Sequence, residues 1–219
     1  MSPFNRILAF MTHPLMIMLY ILLVLLSYLY IDRPLAEYLM SVDLRRNFHV
    51  LNLFTQLGSF APWLVLFFSA ALYCRYLRPN RLWEERAWFL GSCVLLSSLI
   101  CGLLKTGLGR ARPEAWFSEQ AWGFYGFHLK SSYWSLPSGH TTTIMTLAFS
   151  LSVVFPRHVL SFISIGLLVS LSRVLLVHHY LSDILSAAYL ALLEVGLLVW
   201  FAQKKSWFPL VVGKGDKYL

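Results

Sequence analysis

The sequence predicts an all-α, polytopic membrane protein folded as a single domain over residues 1–219. Two observations carry this. Hydrophobic residues make up 58% of the chain and charged residues 13%, with a mean hydropathy of +0.64, whereas a soluble domain carries charge on about a quarter of its residues. The apolar residues also gather into six runs, each close to the ~20 residues that cross a hydrocarbon core as a helix. Such a chain is neither disordered, nor an ordinary soluble enzyme, nor a nucleic-acid-binding tail. Three cysteines are too few for a disulfide scaffold. Cys74, Cys93 and Cys101 all sit in apolar runs and read as small buried hydrophobes.

The first run, 15–31, stops at Asp32-Arg33-Pro34 and lacks a small-x-small cleavage site, so it is expected to remain as a span. Residues 35–57 mix Leu35, Leu39, Val42 and Leu53 with Glu37, Asp43, Arg45, Arg46 and His49. This predicts an amphipathic segment of one or two helices on the membrane surface between spans one and two. The second span is expected at 60–77 and the third at 87–104, stopped by Lys105. Residues 106–136 form the longest polar connection. The fourth span is expected at 138–156, the fifth at 159–177 and the sixth at 184–201, stopped by Lys204-Lys205.

Six spans put both termini on one side. With the N-terminus inside, Arg6, Arg75, Arg78, Arg81, Arg86, Arg157, Lys204, Lys205, Lys214 and Lys217 are cytoplasmic, against eight outer Lys and Arg. The bias becomes ten to five when Lys105, Arg112 and Arg173 are set aside for the role argued next. Both termini are therefore expected in the cytoplasm of a plasma or inner membrane. The net charge of +8 then reflects cytoplasmic loops meeting anionic lipid, together with sites for an anionic substrate.

Span parity places three polar clusters on the outer face. Lys105-x6-Arg112-Pro113 follows span three, Pro137-Ser138-Gly139-His140 opens span four, and Ser172-Arg173-x5-His179-x3-Asp183 joins spans five and six. Ionisable residues at membrane depth are costly and mark function by default. Three cations suit a phosphate, with Arg offering paired N–H donors. Ser138 and the N–H groups of Gly139 and His140 sit at a helix start, where anions bind. His179 and Asp183 are four apart, neighbours on one helical face. A carboxylate there would fix the imidazole tautomer and raise its basicity. This pattern describes phosphoryl transfer, with His179 as nucleophile and His140 as acid.

The three clusters resemble the three motifs of the type-2 phosphatidic acid phosphatase superfamily, in order and without departure. The resemblance covers about residues 60–200. It implies that His179 forms a phosphohistidine, Asp183 orients it, and His140 protonates the leaving oxygen and later activates water. It further implies that Lys105, Arg112, Ser138, Gly139 and Arg173 hold the phosphate, without metal or cofactor. The implied substrate is a membrane lipid phosphate or pyrophosphate: undecaprenyl pyrophosphate, phosphatidylglycerophosphate, phosphatidic acid or a lipid A phosphate. The bilayer is the expected partner; no nucleic acid and no obligate protein partner are expected.

Competing readings remain open. A lipid phosphotransferase would use the same residues. The vanadate-dependent haloperoxidases share the motifs but are soluble and larger. A non-enzymatic anion transporter would need polar residues through several spans, whereas here only Glu194 lies deep. His178 and Arg110 neighbour motif residues and are expected to point elsewhere; Glu194 is expected to be structural.

Overall fold

The computed structural model describes residues 1–44 and 49–213. Arg45, Arg46, Lys214 and Lys217, counted above for orientation, lie outside the described residues, and so does the side chain of His49. The architecture is helical, with one isolated antiparallel bridge, Arg110 to Phe124, among the described residues.

A short helix α1 (Pro3–Met11) precedes α2 (Pro14–Val42). The first span does not end at Asp32-Arg33-Pro34, as hydropathy predicts. A π-helical turn at Ser27–Ile31 interrupts the α pattern, and the helix then runs on from Asp32 to Val42. Proline inside a helix lacks a donor and collides with the carbonyl four residues back; a wider turn just before Pro34 accommodates it. Residues 35–42 therefore continue α2 without a break. Asp32, which reads in sequence as a stop signal, is 1% exposed.

Next come α3 (His49–Thr55) and α4 (Phe60–Tyr76), with a 52° bend between segments Val50–Gly58 and Phe60–Tyr76. The third span, α5 (Arg81–Leu108), is capped at its start by the Asn80 side chain and ended by Gly109 in the left-handed region, φ 56°, where glycine carries no Cβ penalty. A short α6 (Pro113–Glu119) lies in the long connection. Then follow α7 (Gly139–Val154), α8 (Val159–Leu175), α9 (Leu181–Lys204) and α10 (Pro209–Val212).

The centre of the bundle is α7, whose residues from Thr141 to Ser150 are all buried. It packs against α5, α8 and α9. Four of its hydroxyls bond back to the helix, among them Thr142 Oγ1, which donates to the Ser138 carbonyl at 3.0 Å, and Ser152 Oγ, which donates to that of Ala148 at 2.7 Å, while Thr141 Oγ1 and Thr146 Oγ1 have no partner among the described residues. Local bonds of this kind let serine and threonine sit in an apolar interior. The outer helices turn large apolar side chains outward, among them Met18, Leu22, Leu29, Leu99, Leu103 and Leu168, as lipid contact requires.

Four helices among the described residues are long and apolar enough to cross a membrane, Pro14–Val42, Arg81–Leu108, Pro156–Leu175 and Leu181–Lys204, with a fifth when the bent pair counts as one. The chain is thus a multi-pass membrane protein. The predicted fourth span is a 16-residue helix rising about 24 Å, short of the ~30 Å core and enclosed by its neighbours.

Candidate active site

Lys105 stands in the last turn of α5, His140 in the first turn of α7 and Arg173 in the last turn of α8, so one rim of the bundle collects them. The connection after Gly109 folds back beneath them. Arg112 N–H donates to the Ser132 carbonyl at 2.8 Å, and Ser135 N–H to that of Arg110 at 3.0 Å. The Trp134 carbonyl accepts from Lys105 Nζ at 3.1 Å and from Arg112 Nε at 3.4 Å. One carbonyl therefore holds both cations side by side. Lys105 also packs on Gly139, where an added Cβ would lie 3.5 Å from Nζ. Arg173 Nη1 donates to Thr55 Oγ1 at 3.1 Å, which ties α3 into the rim.

Ser138 is fully buried, and its Oγ accepts from the Thr141 N–H at 3.5 Å as the N-cap of α7. The N–H groups of Gly139 and His140 occupy the first turn, where a helix has no internal acceptor for them. His140 rests on Gly58: a Cβ there would fall 2.7 Å from His140 Cβ.

His179 and Asp183 are brought together, but not as neighbours on a helical face. The chain turns at Val177, φ 55°, and the N–H groups of His178 and His179 both donate to the Arg173 carbonyl. Helix α9 then begins at Leu181 with Tyr180 as N-cap, and Asp183 in its first turn reaches back. Asp183 Oδ2 accepts from the Tyr180 N–H at 2.9 Å and from Ser135 Oγ at 2.5 Å, and His179 Nδ1 lies 3.5 Å away. A side chain reaching back over the helix start, as in a capping box, makes the pair; helical periodicity does not. His179 is 2% exposed. Burial first, then the Lys105, Arg112, Arg173 and His178 charges, hold its pKa well below the ordinary value of 6.5. Its imidazole is therefore neutral at neutral pH, with a lone pair to offer.

Arg110, expected to point elsewhere, belongs to the same cluster. One of its nitrogens donates to Asp183 Oδ1 at 2.5 Å and to Ser182 Oγ at 2.7 Å; the other donates to Asp32 Oδ2 at 2.7 Å. Sequence reasoning missed Asp32 as well. The signal was present: span parity puts the end of span one on the same face as the three clusters.

Two cavities flank the rim. One, about 390 Å³, is lined by Leu39, Asp43, Arg112, Glu114, Phe117 and His178. The other, about 500 Å³, runs from Lys105 and His140 along Gly58, Phe60, Leu64 and Leu99. Glu194 lies away from the rim in mid-helix, 4% exposed, with neither carboxylate oxygen hydrogen-bonded among the described residues. No group of three or more metal-ligating side chains occurs among the described residues.

These features define a class: a multi-pass helical membrane protein with a rim of gathered cations and imidazoles. The chain belongs to the PAP2 superfamily, whose family model matches residues 86–207. It is 30% identical over 174 residues to the lipid A 1-phosphatase of Rhizobium johnstonii, covering 74% of this chain and 70% of that protein. It is 33% identical over 98 residues to the lipid A 1-phosphatase of Rhizobium etli, covering 45% and 42%. Among solved structures it is similar to a transmembrane PAP2-type phosphatidylglycerolphosphate phosphatase from Bacillus subtilis, at 20% identity and a TM-score of 0.44, over 92% of both chains.

Proposed function

We propose that this protein is an integral-membrane lipid phosphatase that works through a phosphohistidine on His179. The observation that carries the reading is the position of His140, which borders the Lys105 side of the cation rim and also an apolar cavity of about 500 Å³. A phosphate can lie against Lys105, Arg112, Arg173 and the first-turn N–H groups of α7 while its hydrocarbon chain follows the cavity wall.

In the proposed cycle the His179 lone pair attacks phosphorus. The P–O bond to the lipid breaks, and the leaving oxygen takes a proton from His140. Asp183, 3.5 Å from Nδ1, stabilises the positive charge that His179 acquires. His140 then removes a proton from water, the water attacks phosphorus, the P–N bond breaks, and inorganic phosphate leaves. The three fixed cations supply charge that magnesium supplies in other phosphoryl-transfer sites, so the reaction is proposed to need no metal.

Six spans, cytoplasmic termini and an outward-facing rim complete the reading. The relatives' names favour a lipid A phosphate. Undecaprenyl pyrophosphate, phosphatidylglycerophosphate and phosphatidic acid present the same group to the rim, and a lipid acceptor in place of water would make the enzyme a phosphotransferase. The test is phosphate release by the purified protein in detergent from lipid A, phosphatidic acid, phosphatidylglycerophosphate and undecaprenyl pyrophosphate, with chelator present. Release from at least one is expected. No release from any, or release abolished by chelator and restored by magnesium, contradicts the proposal.

A further inference from the structure

The first span enters the rim through the Asp32 carboxylate, with Ser27 and Tyr28 beside it. Asp32, Arg110 and Asp183 form a buried row of alternating charge: each is at most 1% exposed, and Arg110 bonds to both acids at 2.7 and 2.5 Å. The row is fixed from every side. Asp32 Oδ1 accepts from the Ser182 N–H at 3.0 Å and from Ser27 Oγ at 3.2 Å, and Ser182 Oγ donates to Asp32 Oδ2. Tyr28 and Tyr180 stand about the guanidinium, their ring centres 4.9 and 5.0 Å from its carbon. Ser27 and Asp32 bracket the π-turn of α2, and such turns recur at functional sites.

A charged arginine bonded directly to Asp183 would by itself cancel the carboxylate's field at His179. A second acid on the far side of that arginine restores it, because the row then carries a net charge of −1. Neither an Asp183 without Arg110 nor an Arg110 without Asp32 has both the fixed geometry and the net charge. We infer that Asp32 and Arg110 are positioning residues for the phosphoryl-transfer step: Arg110 holds Asp183 in place, and Asp32 offsets the Arg110 charge so that Asp183 still acts on His179 as an anion. The inference rests on His179 being the nucleophile.

The other groups that bear on His179 are Lys105 from α5, Arg112 from the connection, Arg173 from α8, and His178 beside it, with His140 facing the same three cations. All of these are positive or neutral. The row is therefore the negative side of the nucleophile's surroundings, and changing its net charge has a predictable sign. Asp32→Asn makes the row neutral, so the imidazole becomes less basic and attacks more slowly. Arg110→Gln makes it −2, so the imidazole holds a proton to higher pH. The double change returns it to −1 and leaves an amide N–H for Asp183.

The experiment uses the purified full chain in detergent with radiolabelled phosphatidic acid. It measures kcat, KM, their pH profiles and the acid-labile label on the protein. Asp32→Asn is expected to lower kcat roughly ten- to a hundredfold, the size of one charge acting at about 8–10 Å in a medium of effective dielectric near 20, with KM within about twofold. Arg110→Gln is expected to move the acid limb to higher pH by roughly half a unit or more. Asp32→Asn/Arg110→Gln is expected to recover kcat to within about fivefold of the unmodified protein and to bring the limb back. Ser182→Ala, which removes a bridging hydroxyl but no charge, is expected to cost less than about threefold.

A double variant as impaired as Asp32→Asn, or worse, overturns the inference, and so does a Ser182→Ala loss as large as that of Asp32→Asn. If Asp32→Asn does not fold, the acid limb of Arg110→Gln against the double variant carries the same comparison, and an unmoved limb overturns it. Absence of acid-labile label from the unmodified protein under turnover, and from His140→Ala given labelled lipid pyrophosphate, whose first step hardly needs the acid, removes the nucleophile itself and with it the reading on which the inference stands. Label present with simply additive losses in the double variant removes the inference alone.

Discussion

Replacing Gly58 with alanine adds one carbon next to the proposed acid. The new Cβ would lie 2.7 Å from His140 Cβ and 3.0 Å from His140 Cα and Cδ2. Non-bonded carbons sit at about 3.5–4.0 Å, so the first turn of α7, and the imidazole with it, must retreat by about 1 Å. A displacement of that size at a reacting group can cost about 10²-fold, at the lower edge of the 10²–10⁴ that a general acid contributes. The expected outcome is a roughly hundredfold fall in kcat on a lipid monophosphate. Its alkoxide leaving group, with a conjugate-acid pKa resembling that of water at about 16, depends on the proton. The assay is phosphate release at saturating substrate, paired with a thermal melt in the same detergent, since overpacking costs about 1–3 kcal/mol. A Gly58→Ala protein with an unchanged melt and kcat within twofold of the unmodified protein would refute the placement of His140 as the acid.

Two further outcomes follow from the geometry. Because burial and the surrounding cations depress the His179 pKa well below 6.5, the unfolded chain binds a proton between pH 6.5 and that lower value while the folded chain does not. Stability therefore rises with pH in this window, and the His179 contribution is lost progressively as pH falls below 6.5, at up to about 1.4 kcal/mol per pH unit. Melting of the unmodified protein should fall more steeply from pH 7 to pH 5 than that of His179→Gln, and equal slopes would contradict the buried, neutral imidazole. Cysteines introduced in the 114–130 connection should react with an impermeant reagent added outside intact cells; reaction from the cytoplasmic side alone would reverse the proposed orientation.

Much of the rim is legible in sequence because its chemistry is local. Each motif joins a cation or an imidazole to a helix end, and span parity alone puts the three ends on one face. Helix limits are close where polarity and helix end coincide: the sequence predicts 60–77 and the helix is Phe60–Tyr76. Hydropathy fails where a charge is buried inside a continuing helix. Asp32 looks like a stop to any scale that scores residues singly, because its partner Arg110 is 78 positions away. The same local logic sets Arg110 aside. The His179–Asp183 pair is expected for the wrong reason, since periodicity cannot tell a helix face from a cap that closes over the same spacing. The centrality of α7 is hidden too: its run of threonines and serines lowers hydropathy, while the hydroxyls of Thr142, Thr143 and Ser152 bond back to the helix itself.

The central claim is that His179 carries the phosphoryl group, and one labelling measurement tests it most directly. A lipid pyrophosphate expels a phosphate group whose relevant pKa is about 6, so its first step hardly needs an acid, whereas cleavage of the phosphohistidine needs the base that His140 supplies. His140→Ala given labelled pyrophosphate lipid should therefore trap an acid-labile radiolabel on the protein, and His140→Ala/His179→Ala should not. A label of equal size on both proteins would show that His179 is not the nucleophile.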